Sequence, residues 1–135
     1  MSIEQAIHGL VTGDAGVSAI IGDGLYPVML PQGAPLPAIV YSLSDAPQQT
    51  TVDGPLGLTD ARYQFSCWAK THAAVVELSE ALVSLLDFYS GTVEGVVIQG
   101  TQIMGRRDVP AVDVETEQLS RYGRLVDCII SFNES

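Results

Sequence analysis

Ala61-Arg-Tyr-Gln-Phe-Ser-Cys-Trp-Ala-Lys-Thr-His-Ala-Ala-Val-Val-Glu-Leu-Ser-Glu-Ala-Leu-Val-Ser-Leu-Leu86 decides the fold class. Over 61–69 the side chains alternate. Tyr63, Phe65, Cys67 and Ala69 take one face, and Arg62, Gln64, Ser66 and Trp68 the other, which is the period of a half-buried strand. Thr71 then stands as an N-cap, and the period changes. Over about 72–89 Val75, Leu78, Leu82, Leu85, Leu86 and Tyr89 fall on one helical stripe, with Glu77, Glu80, Ser84 and Asp87 outside it. Ser90-Gly91 ends that helix. One strand face and one helix stripe require a common core, which points to a helix lying across a sheet.

Toward the N-terminus, Ala38–Ser44 is β-branched and aromatic and reads as a strand. Residues 45–60 are dominated by Asp, Pro, Gln, Thr and Gly without a period and read as a long mobile loop, of the kind that is uncommon in compact domains and usually functional or disordered. Before Ala38, Gly22–Tyr41 holds four of the seven prolines, three glycines and two tyrosines, with Leu25–Met29 as a short edge strand. Each proline fixes φ and biases its predecessor toward extended geometry, so the segment holds a stiff shape. It contains no Lys, Arg, His, Cys, Ser or Thr, so it supplies no nucleophile, metal cage or phosphate cradle. Two short helices precede it. Ser2 with Gln5 fits a capping box, and Ile3, Ala6, Ile7, Leu10 and Val11 share a face. After Thr12-Gly13-Asp14 a second helix runs from about Asp14 through Val17, Ile20 and Ile21 to Gly22.

Toward the C-terminus, Val96–Met104 reads as a strand interrupted by Gly100, residues 105–117 as a second irregular excursion, and Leu119–Asn133 as the last strand, with Val126, Cys128, Ile130 and Phe132 on one face. The expectation is one α+β domain over 1–135. It has a mainly antiparallel sheet of about four to five strands, with the long helix and the short N-terminal helices packed on it.

Composition restricts the partners. Sixteen acidic residues against six basic ones give a net charge of −10, and no Lys or Arg precedes Arg62. Such a chain lacks the phosphate-neutralising charge that drives nucleic-acid binding, and an anionic membrane surface would repel it. The charged share of 16% is low against the usual ~25%, which fits either a surface partly covered in an assembly or polarity supplied by Ser, Thr, Gln and Gly. The N-terminus shows no export signal and no apolar run approaches a membrane span. Cys67 and Cys128 therefore read as reduced, buried thiols.

The catalytic inventory is thin. His8 and His72, the two imidazoles, read as surface residues without an oriented partner. Cys67 reads as a core thiol, and no P-loop or dinucleotide fingerprint occurs. Asp108, Asp113, Glu115 and Glu117 form an acidic run without calcium-loop spacing, so no metal, cofactor or catalytic residue is expected. The interface candidates are Trp68 on the polar strand face, Arg106, Arg107, Arg121 and Arg124, and the acidic positions Asp53, Asp113 and Glu115. The arginines read either as ordinary surface charge or as pairing partners for acidic residues of a neighbouring copy.

The two short helices, followed by Gly22-Asp-Gly-Leu-Tyr-Pro27 and Leu30-Pro-Gln-Gly-Ala-Pro-Leu-Pro-Ala-Ile-Val-Tyr41, resemble the tail-completion or tail-terminator proteins of long-tailed phages and gene transfer agents. The likeness continues through Asp53-Gly54-Pro55, the strand Arg62–Ala69, the helix Ala73–Leu86 and the strand ending Cys128–Phe132. What the resemblance implies is a structural protein of the particle tail, assembled in the host cytoplasm, that caps the finished tube as a ring, usually a hexamer. It would stop polymerisation and offer the head–tail joining surface. Its implied partners are further copies of itself, the tail tube protein and the head–tail connector or neck protein, with DNA passing the lumen unbound and no membrane involved. The alternatives are a neck or head-completion connector, or a small α+β binding or enzymatic domain with His72 or Cys67 near a pocket.

Overall fold

The computed structural model describes residues 3–22, 24–30, 33–45, 48–51, 54–109 and 122–134, with the backbone alone described at 45, 48–51, 54–58 and 134. The elements in chain order are α1 (Ile3–Gly13), α2 (Ala15–Ile21), β1 (Leu25–Pro27), β2 (Ala38–Asp45), β3 (Gln48–Thr51), β4 (Gly54–Ala69), α3 (His72–Leu86), β5 (Gly91–Val93), β6 (Val96–Asp108) and β7 (Tyr122–Glu134).

The helices begin where side-chain oxygens satisfy free N–H groups. Asp14 accepts from the Val17 amide at 3.0 Å, and Thr71 accepts from the Ala74 amide at 3.1 Å. Ser2 of the expected capping box lies outside the described residues. Helix α3 ends at Leu86, short of the expected 89, because Phe88 turns the chain at φ 57°. Thr101 of β6 ties that end down: its hydroxyl accepts from the Tyr89 amide at 2.9 Å and donates to the Leu86 carbonyl.

Among the described residues the sheet is curled and mixed, and larger than expected, with seven strands. Six follow the order β1-β2-β4-β7-β6-β5, and β3 pairs with β4 off that path. The pair β1–β2 is parallel, and every other pairing is antiparallel. Parallel neighbours need a crossover, and the proline-rich run between Pro27 and Ala38 supplies it. Gly24 makes the return possible, since a Cβ there would stand 3.0 Å from the Ile21 carbonyl oxygen and 3.1 Å from that of Pro37.

Three sequence expectations need correction. The 45–60 tract is not a plain loop: β3 pairs with the start of β4 in a hairpin, and Leu58 and Thr59 pair with Asn133 and Phe132. Residues 105–108 are strand rather than excursion, because a bulge between Ile103 and Gly105 lets β6 continue beside β7. Gly91–Val93 forms a further short strand against Val96–Ile98. The last strand begins at Tyr122, and residues 119–121 lie outside the described set.

The core lies between α1–α3 and one face of the sheet. Tyr63, Phe65, Cys67 and Ala69 of β4 and Val126, Cys128, Ile130 and Phe132 of β7 are buried, as their alternation predicts, against Val75, Leu78, Leu82 and Leu86 of α3. Ile7, Val11 and Val17 extend that cluster under the N-terminal helices. Each such side chain contributes roughly 1.5–3 kcal/mol on burial. The rings of Tyr41, Tyr63 and Phe65 pack in tilted pairs with centroids 6.4 to 6.5 Å apart.

Candidate assembly interface

Arg124 on β7 is the Cα partner of Cys67 on one side and Asp108 on the other. Its Nε donates to Asp108 Oδ1 at 2.8 Å and its Nη1 to Ser79 Oγ of α3 at 3.4 Å. The hydrogen bond from Arg124 holds the Asp108 carboxyl below its ordinary pKa. His72 Nε2 lies 3.8 Å from the other oxygen of Asp108, and its ring meets Tyr122 edge-on at 6.2 Å. The N-terminal turn of α3 is thus clasped to the ends of β6 and β7.

The other two described arginine candidates also have partners within the chain. Arg106 reaches Glu80 of α3 at 3.0 Å. Arg107, on the opposite sheet face, reaches Asp127 at 3.4 Å, and Gln64 donates to the same carboxylate at 3.3 Å. Such exposed pairs are worth about 0–1 kcal/mol each, so they hold the side chains loosely. The remaining candidates, Asp53, Asp113, Glu115 and Arg121, lie outside the described residues.

Trp68 is half-buried on the sheet face away from the helices, opposite Gly123 in register. A Cβ on Gly123 would stand 2.6 Å from Trp68 Cζ3 and 2.9 Å from Val109 Cγ2. The indole therefore lies over the neighbouring backbone and packs within its own chain. Alternation placed Trp68 on the outer face, but only the register shows the glycine beneath it.

Sequence reasoning missed the protruding apolar groups. Val28, Met29 and Phe88 are 74%, 72% and 81% exposed, and Met104 is 50% exposed. Val28 has φ 68°, a left-handed conformation rare for a β-branched residue. The only signal for Val28 and Met29 is their position beside Tyr26-Pro27, at the turn out of β1.

The chemistry of the described residues is sparse. His8 and His72 are exposed. Cys67 and Cys128 are free and buried, and burial pushes both thiols up to about 12, with Arg124 partly offsetting the effect at Cys67. The two thiols share a face on adjacent strands but sit four residues apart in register, about 13 Å along the strand, too far for a disulfide. Among the described residues no three His, Cys, Asp or Glu side chains converge as metal ligands. An open groove of about 320 Å³ on the outer face is lined by Arg62, Gln64, Met104, Arg107 and Asp127 among others. Ser44, Tyr63 and Cys128 complete the lining.

Comparison with known proteins completes the picture. The sequence profile described as "Tail completion protein gp17" matches residues 5–122. No curated protein sequence matches the chain. Among solved structures, the chain is similar to one in a structure titled "Virion of native gene transfer agent (GTA) particle", at 15% identity and a TM-score of 0.72, over 98% of this chain and 95% of that one. At that identity the likeness is one of fold.

Proposed function

The chain belongs to the tail completion protein gp17 family, structural proteins of phage-type tails, and on that premise we propose that it is a tail terminator. In this reading copies of the chain close as a ring on the finished tail tube, stop its polymerisation and present the surface to which the head–tail connector docks. The observation that carries the reading is the profile match over residues 5–122. The chemistry fits a role without catalysis, since burial keeps both thiols protonated and both imidazoles are exposed. A net charge of −10 suits a ring through which DNA passes without sticking. A heterologous contact closes into a ring when its rotation permits.

Sizing by multi-angle light scattering, alone and with purified tail tubes, tests this. The expected result is a closed oligomer, hexameric by the family resemblance, that binds one end of the tube. A chain that stays monomeric and ignores tube ends would contradict the reading, and binding to head portals instead of tubes would favour a neck connector.

A further inference from the structure

Among the described residues the sheet ends in two uncovered edges that differ from each other. On one side β5 covers only Val96–Ile98, and among the described residues no backbone group pairs with the outward edge of β6 from Gln99 to Asp108. On the other side β1 covers β2 only from Ile39 to Tyr41, and the chain leaves β1 through Val28 and Met29. Open strand edges present unpaired N–H and C=O groups to any strand that can reach them.

The two edges match in height and direction. One row across the sheet runs Tyr41–Phe65–Val126–Arg106, and the next Leu43–Tyr63–Cys128–Ile103. The Val28 amide donates to the Tyr41 carbonyl at 2.8 Å, so Val28 and Met29 stand level with those rows. Met104 bulges between Ile103 and Gly105 at the same level on the far edge. Counting directions through the parallel and antiparallel pairs, β6 runs opposite to β1. A rotation about an axis along the strands preserves these directions, so β1 of a second copy would meet β6 antiparallel and in step.

Surface chemistry matches as well. Val28 and Met29 on one edge and Met104 on the other are all half or more exposed. Val28 is held at φ 68°, and backbone strain of that kind clusters at functional sites. No Lys or Arg precedes Arg62 in the half of the chain that carries β1 and β2, whereas the β6 edge ends in Arg106 and Arg107. Their partners Glu80 and Asp127 hold them in exposed pairs only.

We propose that a second copy docks its β1–β2 edge, led by Val28 and Met29, onto the open β6 edge at Met104, each copy repeating the contact head to tail. This rests on the ring reading and specifies its seam. The contact is heterologous, so every copy offers one edge and receives the other.

Cysteine cross-linking of the full chain tests the seam. The Met29→Cys/Met104→Cys variant, oxidised under ring-forming conditions, should give a ladder of covalent multimers on a non-reducing gel. Each single variant should stay monomeric there, and their equimolar mixture should give dimers. Self-linked dimers of Met29→Cys alone would mean a two-fold contact and overturn the proposal. Rings of full size without a ladder would overturn this seam while leaving the ring reading intact. A chain that forms no oligomer, with or without tubes, would overturn both.

Discussion

Trp68 lies across Gly123, so closely that a Cβ at position 123 would stand 2.6 Å from the indole Cζ3. The contact joins the two longest-paired strands at the end of the sheet where α3 begins. Gly123→Ala should destabilise the chain by roughly 1–3 kcal/mol through overpacking. In a Trp68→Ala background the same substitution should lose more than half of its cost, because the clashing ring is gone. Urea unfolding of the four proteins completes that cycle, and equal costs in both backgrounds would show that the ring is not the cause.

Thr101 offers a second test, at the other end of α3. Thr101→Val keeps the shape but removes the group that satisfies the Tyr89 amide and the Leu86 carbonyl. The expected loss is about 1–3 kcal/mol, with Thr101→Ser recovering most of it. Denaturant midpoints of the two variants check this.

Both buried thiols should resist labelling by an aromatic disulfide reagent at pH 8 in the folded chain and react fully in urea. Their folded pKa values, about 12, lie above the ordinary 9.0. Below pH 9 the thiols are neutral in both states and full stability is present. As pH rises from 9 toward 12 the unfolded chain ionises first, so stability falls. Thermal melts across pH 8–10.5, compared with a Cys67→Ala/Cys128→Ala variant, isolate that contribution.

Asp108 has the opposite sign. Its carboxyl is lowered from 3.8 by the hydrogen bond from Arg124, so the clasp contributes stability above that value and loses it as pH falls through the folded pKa. The pair is exposed, and Asp108→Asn should cost no more than about 1 kcal/mol at pH 7. The gap from the unaltered chain should narrow below pH 3.8 in acid titrations followed by circular dichroism.

The parts of this fold legible in the sequence are those where one face is buried and the other is not. Tyr63 to Ala69 and Val126 to Phe132 alternate because only one side meets the core, and Val75, Leu78 and Leu82 repeat at helical spacing for the same reason. Other strands owe their conformation to partners rather than to their own residues. Gly54–Thr59 reads as turn-forming, yet pairs with β3 and then β7. Gly105–Asp108 pairs with β7 despite a glycine and three charges. Of the interface candidates, Arg106 and Arg107 are exposed and Trp68 and Arg124 half-buried, and each packs or pairs within its own chain in a way only the register shows. Val28, Met29 and Met104 carry no mark in one dimension, since their relation exists only through the register of the whole sheet.

The most direct measurement is tail length, by electron microscopy, in particles assembled without this chain. The account predicts overlong tails that lack heads, restored to uniform length when the protein is supplied. Normal-length tails joined to heads, or normal tails beside heads that leak their DNA, would contradict it.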